Sequence, residues 1–108
     1  MPYTGVFATH AQQILVPHAS QIKAFMNQIC RQLNGDKAPK TMGGDFGFIV
    51  HPLPKIALYY IFYLADDEFP ASVTCLYSNN ANFFLPLDAL ADVGEYTSLK
   101  IIDIIRPT

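Results

Sequence analysis

The chain has 108 residues, 51% hydrophobic and 15% charged, with a formal charge of −2. That length suits a single domain over residues 1–108. The charge leaves no basic surplus for a phosphate backbone, which argues against nucleic acid. The longest apolar run, Ile56 to Ala65, is half the roughly 20 residues a membrane helix needs, which argues against a membrane.

The N-terminal third reads as helix. Thr9 and Gln12 make a capping-box pattern, and Ala11, Ile14 and Leu15 form a short stripe that Pro17 closes. Ile22, Phe25, Met26, Ile29 and Leu33 then recur at helical spacing, with Lys23, Asn27, Gln28, Arg31 and Gln32 mostly opposite them. A helix is predicted from about Ala19 to Leu33, capped near Ser20 and stopped by a left-handed turn at Asn34-Gly35. From Asn34 to Asp45 (NGDKAPKTMGGD) periodicity is lost, and an exposed loop is expected in which Gly43-Gly44 permits positive φ.

The period then shortens to two. Phe46, Phe48 and Val50 alternate as a strand, which His51-Pro52-Leu53-Pro54 is expected to break. Ile56 to Leu64 (IALYYIFYL) is apolar throughout, and its aromatics from Tyr59 to Tyr63 favour a central strand over a helix. An acidic turn follows at Asp66-Asp67-Glu68-Phe69-Pro70, then an alternating strand to Tyr77 and a candidate fourth strand at Asn82–Leu85. Pro86 suits a first helical position, and Leu87, Leu90 and Ala91 carry a helical stripe toward Gly94. Leu99, Ile101, Ile102, Ile104 and Ile105 fit a short helix by spacing and a strand by β-branching. The sum is α+β: an antiparallel meander of three to four strands on two or three helices.

Cys30 and Cys75 fall in apolar patterns and read as reduced core thiols. Neither belongs to a CxxC pair, so one chain lacks the ligands of a zinc ribbon or four-cysteine cluster, and no cofactor is implied. The start Met1-Pro2-Tyr3-Thr4 has no leader character, and a cytoplasmic protein is expected.

The stretch from Leu53 to Leu85 carries a distinctive pattern: Leu53-Pro54-Lys55-Ile56, then Asp67-Glu68-Phe69-Pro70-Ala71-Ser72, then a Leu-Pro step at 85–86. Gly43-Gly44-Asp45 stands upstream of a Phe-rich strand. This resembles an uncharacterised bacterial domain family, a domain of unknown function found mostly in anaerobes, whose members are sometimes fused to a four-iron cluster domain. The match is best over Leu33 to Leu90. The resemblance implies the C-terminal portion of such a family architecture, set in a redox or cofactor-dependent system. The cluster motif itself is absent here, and no activity carries over.

Few residues invite chemistry. Asp66, Asp67 and Glu68 are consecutive carboxylates suited to a hard cation or cationic ligand, although solvated turn residues bonding their own backbone account for them better. Phe69 turned inward would pin that turn. In an antiparallel meander Asp45 falls at the same end of the sheet as the turn, whereas His51 falls at the other. That placement favours an Asp45–acidic turn cluster over a His51–Glu68 pair. His51 and Lys55 remain secondary candidates, and His18 stands beside a structural break. No serine-nucleophile, metal or phosphate-loop motif occurs, so no catalytic residue is assigned and an enzyme is not favoured.

Alternation puts Tyr60 and Phe62 on one face of the central strand and Tyr59 and Tyr63 on the other. One helical layer covers one face, so Tyr59 and Tyr63 are interface candidates for a dimer or a protein partner. Residues 1–44 carry four basic and one acidic group, residues 45–108 three and eight, an asymmetry compatible with head-to-tail pairing or with the two halves meeting within one fold. The expected function is a non-catalytic binding or assembly module; the alternative is a small enzyme or cation-binding protein around Asp45 and the 66–68 turn.

Overall fold

A computed structural model describes residues 9–39, 43–78 and 87–106. The expected fourth strand at 82–85 and the helix start at Pro86 lie outside the described residues. The architecture is α+β. Four strands, β1 (Gly35–Lys37), β2 (Phe46–Leu53), β3 (Ile56–Tyr63) and β4 (Ser72–Tyr77), form one antiparallel sheet in chain order. Helices α1 (Thr9–Leu15), α2 (Ala19–Ala24), α3 (Met26–Gln32) and α4 (Leu87–Ile105) make the second layer, with a 3₁₀ turn at Val16–His18 joining α1 to α2.

The sheet buries one face. Phe48, Val50, Ile56, Leu58, Tyr60, Phe62, Val73, Cys75 and Tyr77 share a core with Leu15, Ile22 and Ile29 from the N-terminal helices and Leu90, Ile101 and Ile105 from α4. The register explains this: Phe48 faces Tyr60, which faces Cys75, so one parity on every strand points to the helices. Phe46 and Phe62 stack with ring centroids 4.6 Å apart. On the opposite face lie Ile49, Tyr59, Ile61, Tyr63 and Leu76, none of which joins that core.

Several expectations need correction. The 34–45 segment is not loop throughout: Gly35–Lys37 pairs with Phe48–Val50 as edge strand β1. Gly35 permits it, since a Cβ there would collide with the Ile49 carbonyl. Asn34 alone supplies the left-handed residue, at φ 56°. Nor does His51-Pro52 end the strand. β2 continues to Leu53 through a register shift that sets two residues, His51 and Pro52, opposite Ala57, which disposes of the N–H that proline lacks.

Among the helices, the predicted Ala19–Leu33 element is divided at Phe25, whose N–H reaches both the Gln21 and Ile22 carbonyls. Phe25 itself is exposed rather than on the buried stripe. The cap residue of α2 is His18, whose side chain bonds Gln21 and not the helix backbone, and not Ser20. Gln12 spends its amide oxygen on the Cys75 N–H at 2.7 Å instead of closing a capping box. That bond holds α1 along β4 and satisfies a donor on an edge strand. The isoleucine-rich segment is helix, continuous with the Leu87 stripe through Gly94. A Cβ at Gly94 would collide with the Tyr77 hydroxyl, so glycine here lets the helix approach the sheet. Among the described residues no helix is long and apolar enough to cross a membrane.

Candidate functional site

The candidate residues Asp45 and Asp66 meet at one end of the sheet because β2 begins where β3 ends. Gly43 and Gly44 turn the chain into β2 at φ 87° and 80°. A Cβ on Gly44 would lie 2.6 Å from the Ile61 Cγ2 and 2.9 Å from the Phe62 carbonyl oxygen, so this corner needs glycine for both conformation and space. The turn delivers Asp45, whose N–H donates to the Phe62 carbonyl at 2.7 Å and whose Oδ2 accepts the Leu64 N–H at 2.7 Å. Asp45 therefore continues the β2–β3 ladder one step beyond the strands.

Asp66 organises the acidic turn from within. Its Oδ1 accepts the Glu68 and Phe69 N–H groups, each at 2.8 Å, while its own N–H donates to the Phe69 carbonyl at 2.9 Å. Hydrogen bonds from the Phe69 N–H and then the Glu68 N–H hold the Asp66 carboxyl below the usual carboxylate range. The turn is thus held by a carboxylate on backbone donors and not by an inserted aromatic: Phe69 is 67% exposed.

An open cleft of about 500 Å³ lies between these elements, with Asp45, Asp66 and Ser72 on its polar side and Tyr63, Leu64 and Phe69 on its apolar side. Tyr63, 45% exposed, belongs to both the cleft and the outer face of the sheet. Asp67 and Glu68 are exposed and do not line it. His51 sits at the far end of β2, where its Nδ1 donates to the Asn34 carbonyl at 3.1 Å; it approaches neither Glu68 nor Asp45. Lys55 lies in the β2–β3 turn at that same far end. Both carboxylates that line the cleft already hold backbone N–H groups, and among the described residues no three His, Cys, Asp or Glu side chains form a group able to hold a metal ion.

Residues 1–100 match the family model described as "Domain of unknown function (DUF3786)". The chain belongs to this family. The match takes in the N-terminal helices of this DUF3786 domain as well as the Leu33–Leu90 stretch that carries the sequence pattern. No curated protein and no solved structure matches the chain.

The buried polar groups of the DUF3786 domain belong to structure. Ser98 donates to the Ala11 carbonyl at 3.0 Å, so its single proton is spent and the Tyr60 hydroxyl, 3.0 Å away, donates to it. Tyr77 donates to the Leu90 carbonyl at 2.5 Å. Burial pushes the Cys75 thiol up to about 12, against a smaller opposing effect of its hydrogen bond with Tyr60, which keeps it neutral and unreactive. Burial likewise raises Tyr60 and Tyr77. Cys30 and Cys75 are both free thiols. Nothing in sequence spacing marks Ser98 or Gln12, because their partners lie 87 and 63 positions away.

Proposed function

We propose that this domain is a non-catalytic binding or assembly module that pairs with a second copy of itself through the outer face of its sheet. The setting implied by its sequence resemblance is a redox or cofactor-dependent system of anaerobes. The observation that carries the reading is the outer face itself: around a buried Ile61, the side chains of Ile49, Tyr59, Leu76 and Tyr63 are half-buried or exposed, while the helices pack on the other side. None of these side chains is charged. Two copies related by a two-fold axis bring this apolar surface to its own copy, the condition for a self-complementary interface, with exposed Asp36 of β1 beside Ile49 at its edge. The cleft joins this face at Tyr63, which extends the patch to the exposed ring of Phe69.

Light scattering coupled to size exclusion tests the proposal. A mass twice 12.0 kDa is expected at micromolar concentration, collapsing to one chain in a Tyr59→Glu/Tyr63→Glu variant. A single chain at every concentration overturns it. A second reading, a small enzyme or cation-binding protein, has one observation in its favour: Asp45 and Asp66 line the same cleft. Calorimetric titration with Mg²⁺, Ca²⁺ and Mn²⁺, repeated on Asp45→Ala, tests that reading, and absence of heat ends it.

A further inference from the structure

At the end of the sheet opposite the acidic cleft lies a groove that none of the foregoing uses. It has two adjoining lobes. One, of about 210 Å³, is lined by Leu33, Asn34, His51, Pro52, Tyr96 and Lys100 among others; the second, of about 360 Å³, shares Gln32, Leu33 and Lys100 with it and reaches Arg106. In a chain of net charge −2, this groove gathers Lys100, Arg106 and the imidazole of His51. Asp103 is the one carboxylate among the described lining residues, and it belongs to the second lobe only.

The first lobe is built rather than incidental. Asn34, left-handed at φ 56°, presents its carbonyl to His51 Nδ1 at 3.1 Å, and the Leu33 carbonyl accepts the His51 N–H at 3.3 Å. His51 is thus held once through its imidazole and once through its backbone. With the Nδ1 proton committed, the ring offers only Nε2 to a ligand. Lys100 Nζ stands 5.6 Å from the centroid of the Tyr96 ring, one helical turn away, and Tyr96 is 61% exposed. Leu33 and Pro52 supply an apolar floor.

We propose that this groove binds a small ligand bearing an oxyanion, carboxylate or phosphate, on a planar apolar body. Lys100 meets the oxyanion as a charged donor, and the body rests against Tyr96 and Pro52. The site is independent of the self-association reading, since its residues lie on the helix side and at the far strand end.

The test is a titration of the ¹⁵N-labelled full chain with phenyl phosphate, benzoate and inorganic phosphate, followed by amide shifts. Saturable shifts confined to 32–34, 51 and 96–100 are expected with phenyl phosphate or benzoate, and whichever saturates first identifies the oxyanion. Inorganic phosphate is expected to bind more weakly, and equal binding overturns the role of the planar body. Lys100→Gln, an exposed change that leaves the core intact, is expected to weaken binding about tenfold. Shifts that never saturate, that centre on Asp45 and Phe69, or that persist unchanged in Lys100→Gln overturn the proposal.

Discussion

Tyr60 and Tyr63 lie three positions apart on β3, yet the two faces of the sheet hold them by different physics. Tyr60 is fully buried among Phe48, Phe62 and Cys75, with its hydroxyl on Ser98. Tyr63 is 45% exposed at the rim of a cleft. A buried aromatic with a satisfied hydroxyl contributes packing and specificity together, whereas an exposed one contributes surface for a partner. The largest expected effect follows directly. Phe62→Ala, on the helix-facing side, should cost about 3–5 kcal/mol, and Tyr63→Ala should stay within about 1 kcal/mol. Urea denaturation of the two variants checks this, and similar losses would erase the distinction between the faces.

Gly94 sharpens the same distinction from the helical side. Alanine is intrinsically better than glycine in a helix by about 1 kcal/mol. Here, though, the added methyl meets the Tyr77 hydroxyl, which itself holds the Leu90 carbonyl. Gly94→Ala should therefore lower stability, by about 1–2 kcal/mol net of the propensity gain. Adding Tyr77→Phe should recover part of that loss. Strict additivity of the two changes would show that the hydroxyl is not what the helix avoids.

A comparable effect separates the two ends of the Tyr60 hydrogen-bond chain. Ser98→Ala leaves both the Ala11 carbonyl and the Tyr60 hydroxyl without their partner and should cost about 1–3 kcal/mol. Tyr60→Phe removes only the outer donor, since Ser98 keeps its bond to Ala11, and should cost about 1 kcal/mol. Thermal melts of the two variants give the order; a reversed order would mean the proton runs the other way along the chain.

What the sequence made legible was whatever acts locally or by period. Alternation through Phe46–Val50 and the aromatic run of β3 gave the central strands and their faces, and Gly43-Gly44 gave the positive-φ corner. The shared end of Asp45 and the acidic turn followed from antiparallel pairing alone. What escaped depends on distant partners. β1 has only three residues and is specified by Val50, Ile49 and Phe48 across the ladder rather than by its own Gly-Asp-Lys. Pro52 looked like a strand end because proline lacks a donor, and only the bulge against Ala57 makes that loss harmless. The isoleucines of α4 were ambiguous until Ile101 and Ile105 found the core, where packing overrides β-branched propensity. The oxyanion groove was invisible for the same reason: His51 and Lys100 are 49 positions apart.

The least perturbing test concerns the acidic turn, the outermost element of the open side. The Asp66 carboxyl is held below its usual range by the Phe69 and Glu68 N–H groups, so the folded turn favours the ionised form more than the unfolded chain does. A group depressed in this way supports the fold fully above its unfolded value, near pH 4, and loses that support as pH falls through its folded value. Asp66→Asn keeps an acceptor oxygen for the two N–H groups but cannot titrate. The wild-type advantage over this variant should accordingly be present at neutral pH and shrink on acidification below about pH 4. Melting temperatures of both proteins across that range decide it. Parallel curves would mean the turn gains nothing from ionised Asp66, and its geometry would then rest on Pro70 and the strand ends instead.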